Sequence, residues 1–139
     1  MKTSSTTSLA GLFLSSVLQL GLHAASTIEF TKPTSVSVAE NAGEVVLTVV
    51  RSGDVDAMVS ADFTTADAAG KAGSDYTLTS GTLTFEAGQT NQPIVIPILN
   101  DTLPEATERF SVRLSSPSAN ATLGTTSTVQ FPGMTSLRM

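Results

Sequence analysis

The chain has 139 residues, enough for one domain, and carries a formal net charge of −5 with only 14% charged residues. That balance offers no basic field to hold a phosphate backbone and argues against a nucleic-acid partner. There is no cysteine, which excludes a disulfide framework, a lipid-modified N-terminal cysteine and a thiolate zinc site.

The first 25 residues differ in character from the rest. Lys2 gives a short positive start, residues 9–22 form a mostly apolar run, and LHAAS closes it with Ala24, Ala25 and Ser26. At about 1.5 Å per residue the run spans roughly 21 Å, short of the ~30 Å hydrocarbon core of a bilayer. The pattern predicts a signal peptide over 1–25, cut after Ala25, and therefore a secreted, periplasmic or cell-surface protein. No later stretch is apolar enough for a membrane span in the mature chain. The only histidine, His23, would leave with the leader. Histidine-based catalysis and histidine metal sites would then be closed to the mature protein.

Beyond the leader the chain reads as short strands separated by turns. SVSV (35–38) is a first strand, preceded by a short TIEF piece, and VVLTVVRS (45–52) a second. The near-continuous apolar run of the second predicts burial on both faces or a central position. GDVD (53–56) is a turn, MVSADFTT (58–65) a third strand, and ADAAGKAGSDY (66–76) a long connection. SGTLTFEAG (80–88) alternates, with Leu83 and Phe85 inward. PIVIPIL (93–99) places Ile94, Ile96 and Ile98 on one face. Pro97 cannot donate to a ladder, so that strand belongs at an edge or carries a bulge. FSVRLS (110–115) and STVQF (127–131) complete the set. About seven strands with turn signals between them predict an all-β antiparallel sandwich.

In such a sandwich, successive connections alternate between the two ends. The connections after the first, third and fifth strands then share a pole. They hold Glu40, Asp67, Asp75, Asn100, Asp101, Glu105 and Glu108, whereas the other end holds Asp54 and Asp56. Two carboxylates about 4 Å apart repel by roughly 4 kcal/mol at an effective dielectric near 20. Converging acids stay apart in water, take up protons or bind a cation. Ca²⁺ accepts oxygen ligands in flexible geometry, Mg²⁺ dehydrates reluctantly, and zinc lacks its usual ligands here. The competing reading is that these are ordinary solvated loop acids.

Three stretches, SVSVAENAGEVVLTVVRSG (35–53), AGSDYTLTSGTLTFEAGQTNQPIVIPILND (72–101) and EATERFSVRLSSP (105–117), resemble the Calx-beta domain. That domain is found in sodium–calcium exchangers, integrins and bacterial surface proteins. The resemblance covers roughly residues 28–131. It implies an immunoglobulin-like sandwich that, in calcium-binding members, holds the ion at one pole. By position it implies that Glu40, Asp75, Asp101, Glu105 and Glu108 are metal ligands, with Asn100 beside them.

Departures from the family pattern are also present. Asn100, Asp101 and Thr102 stand where calcium-binding members carry consecutive aspartates. Asp67, Ala68, Ala69 and Gly70 replace the family's D-G-T-A, and FPGMTSLRM (131–139) has no acid. One weak site is expected rather than a cluster of ions, in the ~0.1–1 mM range of extracellular modules. The expected organisation is leader 1–25, Calx-beta domain 26–131 and tail 132–139.

The expected function is a Ca²⁺-binding repeat with a structural, adhesion or cell-communication role and a protein partner or neighbouring repeat. A metal-free structural module, derived from a longer repeat protein, is the alternative. Catalysis is not expected: no G-x-S-x-G elbow occurs, and the absence of tryptophan leaves little platform for a sugar. Tyr76 is expected to be a packed aromatic with its hydroxyl on backbone.

Overall fold

A computed structural model describes residues 25–31, 33–100 and 108–135. The expected leader, the ligand candidates Asp101 and Glu105, and the end of the expected tail lie outside the described residues.

Among the described residues, nine strands form two facing sheets. In chain order they are β1 (Ser26–Phe30), β2 (Val38–Ala39), β3 (Glu44–Ser52), β4 (Val59–Asp67), β5 (Ser80–Phe85), β6 (Asn91–Pro97), β7 (Glu108–Ser115), β8 (Ala121–Leu123) and β9 (Thr128–Thr135). One sheet runs β6-β3-β1-β8 and the other β2-β9-β7-β4-β5. The main ladders are antiparallel, as alternation in the sequence predicts. The two shortest strands instead pair in parallel, β8 with β1 and β2 with β9. A 3-10 turn, Glu40–Ala42, follows β2.

The core lies between the sheets and is built from the inward set of each strand. Ile28 and Phe30 of β1, Leu47 and Val49 of β3, and Leu83 and Phe85 of β5 are buried. So are Ile94 and Ile96 of β6 and Phe110, Val112 and Leu114 of β7. A period of two puts these on one face of each strand while their neighbours meet solvent.

The continuous apolar run of β3 is the exception to a simple reading. It is internal to its sheet, between β6 and β1, but it is not buried on both faces. Leu47 and Val49 point inward, while Val46 is 52% exposed and sits opposite Val95, itself 43% exposed. The outer valines form a cross-strand β-branched pair, which suits a pleated surface without requiring a second core. β6 is an edge strand, where Pro93 and Pro97 cost no ladder bond and discourage pairing with another chain.

The far corner, away from the loops rich in acids, is tied by a buried cation. Arg51 is 3% exposed. Its Nε donates to Ser26 Oγ and to the Asp54 carbonyl, both at 3.1 Å. Nη1 reaches the Glu86 carbonyl at 3.3 Å and Nη2 the Ala57 carbonyl at 2.5 Å. A planar guanidinium can serve several acceptors at once, and here it links β1, the turn after β3 and the turn after β5. The Asp54 side chain accepts the Asp56 N–H at 2.8 Å, the turn role expected of that pair.

Candidate functional site

The strand registers bring three strand ends to the opposite pole. Val38 and Ala39 pair with Met134 and Thr135, and Glu108 pairs with the same Met134 from the other side. Glu40, immediately after β2, and Glu108, opening β7, therefore flank the end of β9. The Gly43 carbonyl accepts the Ile98 N–H at 2.9 Å, and the Asp75 carbonyl accepts the Leu99 N–H at 2.9 Å. The chain leading to Asn100 thus passes between the turn begun by Glu40 and the segment holding Asp75. The 67–76 loop closes the ring, since the amides of Ala68 and Gly70 both donate to the Arg109 carbonyl, at 3.2 and 2.7 Å.

The four described candidates differ in environment. Glu40 is 6% exposed and Asp75 5%, whereas Glu108 is half-buried and Asn100 exposed. Burying a carboxylate is costly unless donors or a cation compensate it. Asp75 Oδ2 accepts the Lys71 N–H at 2.6 Å, and the Asp75 N–H returns to the Lys71 carbonyl at 3.0 Å. These two bonds fold the loop tightly around the side chain. Among the described residues, no group of three or more acids is close enough to enclose a metal ion.

Asp67 and Tyr76 are joined side chain to side chain at this pole. The Tyr76 hydroxyl donates to Asp67 Oδ1, which also accepts the Ala72 N–H at 3.0 Å. Tyr76 is packed as the sequence predicts, fully buried, but its hydroxyl meets a carboxylate rather than backbone. The phenol and the Ala72 amide hold the Asp67 carboxyl below its usual range. Burial, and then the bond to Asp67, push the phenol well above its own. Asp67 was legible only as one more loop acid. The added signal is its nine-residue separation from a tyrosine across a short loop rich in alanine and glycine.

Beneath the pole the Tyr76 ring stacks on Phe110, with centroids 4.3 Å apart, and Phe110 stacks on Phe131 at 4.2 Å. Phe110 lies two residues past Glu108, so packing in the core fixes the strand that presents that acid. Every candidate side chain offers oxygen. A hard cation such as Ca²⁺ fits that donor chemistry, and a soft metal that prefers nitrogen or sulfur does not.

Comparison with known proteins agrees with this architecture. The family model for the Calx-beta domain matches residues 23–136, and the chain belongs to that family. Sodium/calcium exchanger 3 of Rattus norvegicus is 40% identical over 87 residues, which is 62% of this chain and 9% of that protein. Sodium/calcium exchanger 1 of Canis lupus familiaris is 44% identical over 77 residues, 55% of this chain and 8% of that one. The match thus spans less than a tenth of these exchangers. Among solved structures, the apo-form Calx CBD1 domain superposes with a TM-score of 0.75 at 30% identity, covering 82% of this chain and 99% of that one. The calcium binding domain CBD12 of CALX1.1 gives 0.73 at 30% identity, covering 78% of this chain and 44% of the other. The Calx CBD2 domain, 18% identical, shares the fold at a TM-score of 0.69 and covers 76% of this chain and 83% of that one.

Proposed function

We propose that this protein is a Ca²⁺-binding module acting outside the cytoplasm, holding the ion at the pole formed by Glu40, Asp75, Asn100 and Glu108, with Asp101 and Glu105 as further candidates in the sequence that follows Asn100. The observation that carries this reading is the burial of Glu40 and Asp75 at one end of a Calx-beta sandwich, where strand registers also deliver Glu108 and Asn100. The similarity to a solved calcium binding domain adds support. A bound cation would neutralise carboxylates that otherwise repel, and would draw loops from three parts of the chain together. The protein's work is then that of a binding and structural module rather than an enzyme: a stiffened pole that sets the angle to a neighbouring repeat or presents an adhesion surface.

One observation favours a metal-free module. The carboxylates of Asp75 and Asp67 already accept hydrogen bonds from the loop's own amides and phenol, so these side chains have partners without an ion.

A calorimetric Ca²⁺ titration of the full chain in metal-stripped buffer separates the readings, run beside an Asp75→Asn, Glu108→Gln double variant. Saturable binding by the wild type that is lost in the variant supports the calcium pole. Absence of heat up to several millimolar Ca²⁺ at two temperatures overturns it in favour of the metal-free module.

A further inference from the structure

We infer that Tyr76 is a positioning residue for cation binding at the acidic pole: its hydroxyl, through Asp67, fixes the loop that presents Asp75, while its ring locks that loop to the strand that presents Glu108. The inference rests on the calcium reading above and adds a residue that supplies no oxygen to the ion itself.

Tyr76 is the residue after Asp75, so any rotation of its backbone moves the acid. Three restraints act on it. The Gly73 N–H donates to its carbonyl at 2.8 Å, an isolated antiparallel bridge joins it to Ile98, and the hydroxyl bonds to Asp67 at the end of β4. The first two are backbone restraints that survive substitution. The third depends on the side chain alone and spans the loop from its first residue to its last. The ring in turn stacks on Phe110. Residues from β4, the loop, the segment just after β6 and β7 therefore share one aromatic anchor. Chelation by side chains on separate segments gains when those segments are already ordered, since the entropy of ordering them is not lost on binding.

The chain has one tyrosine and no tryptophan, so tyrosine absorbance and emission report on Tyr76 alone. Under this inference the phenol, bonded to Asp67 in the loop that presents Asp75, changes environment as a cation orders that loop.

The experiment is a Ca²⁺ titration of the full chain by calorimetry and by tyrosine difference spectroscopy, with Tyr76→Phe, Asp67→Ala and their combination. Tyr76→Phe keeps the stacking ring and removes only the hydroxyl. Thr82→Val is the matched control, because Thr82 Oγ1 donates to Asp62 Oδ1 at 2.6 Å on the exposed β4–β5 surface, another hydroxyl–carboxylate pair. The expected result has four parts. The tyrosine signal of the wild type titrates with the calorimetric midpoint, and Tyr76→Phe binds Ca²⁺ about 3- to 10-fold more weakly, the size of one net hydrogen bond. Tyr76→Phe adds no further loss to Asp67→Ala, and Thr82→Val is unchanged. Wild-type binding with unaltered affinity in Tyr76→Phe, or losses that add in the double variant, overturns the role of Tyr76 and leaves the calcium reading standing. Absence of binding by the wild type overturns both.

Discussion

At the scale of single residues, the pole is defined by which carboxylates are held and by what. Asp67 is surface-exposed but bonded, and its carboxyl is held low first by the Tyr76 hydroxyl and then by the Ala72 amide. A depressed folded-state pKa stabilises the native protein above the unfolded value, about 3.9 for aspartate, and that contribution is lost as pH falls through the folded value. The stability gap between wild type and Asp67→Asn should therefore be full at pH 7 and shrink as the solution is taken below pH 4. Thermal melting across that range measures it, and a gap independent of pH would show that Asp67 acts through packing alone. That the segments holding Glu40, Asp75, Asn100 and Glu108 lie toward one end was legible from the alternation of strand direction, a rule that places segments and says nothing of how closely their side chains approach. The donors to Asp67 and Asp75 were not legible. They come from backbone amides of a loop whose path depends on tertiary contacts with Arg109 and Leu99. The tyrosine hydroxyl likewise gives no sequence sign of which acceptor it will find.

At the scale of elements, alternation placed nearly every inward residue of β5, β6 and β7 correctly, because each has one dry face and one wet one. For β3 the apolar run marked the internal position it takes between β6 and β1 but not burial on both faces, since valines on the outer face mimic a buried strand. It also passed over β8, a three-residue strand that pairs in parallel with β1 and is too short to show any period. The last strand runs on to Thr135, beyond the STVQF stretch, because its pairing with β2 and β7 outlasts the apolar pattern. The turn after β3 carries a specific expectation. Gly53 has φ +83°, a backbone conformation that L side chains rarely adopt, so Gly53→Ala brings backbone strain into the turn. Arg51 in the same corner serves the carbonyls of Asp54, Ala57 and Glu86 from inside the fold. Arg51→Ala removes their donor and opens a void, a loss of about 2–4 kcal/mol. Arg51→Lys should recover less than half of this, since a single ammonium cannot reproduce the planar fork. Urea unfolding of the three variants tests the corner. Near-wild-type stability in Arg51→Ala would mean that the turns close without it.

The whole molecule has two unlike ends joined by one core: a pole of acids, and a corner clamped by a buried guanidinium. With no cysteine, its stability rests on the packed sheets and on anything that binds the folded state. Unfolding disperses the acids of the pole, so a cation bound there stabilises the native chain by RT ln(1 + [Ca²⁺]/Kd). For a site of ~0.1–1 mM affinity, about 10 mM Ca²⁺ contributes about 1.4–2.7 kcal/mol. In a domain of this size that corresponds to a rise in Tm of about 5–15 °C. General screening by sodium chloride at matched ionic strength also relieves repulsion among carboxylates, but only for charges exposed to solvent, and Glu40 and Asp75 are buried. Mg²⁺ keeps its waters and demands octahedral geometry that loops from three segments do not readily offer. The expected order of Tm gain is therefore Ca²⁺ well above Mg²⁺, and Mg²⁺ near the salt control, with EDTA reversing the calcium shift. In Asp75→Asn, Glu108→Gln the three additions should become indistinguishable. Equal shifts from all three in the wild type would identify the pole as a screened acidic surface, and its buried carboxylates as members of the fold's own hydrogen-bond network.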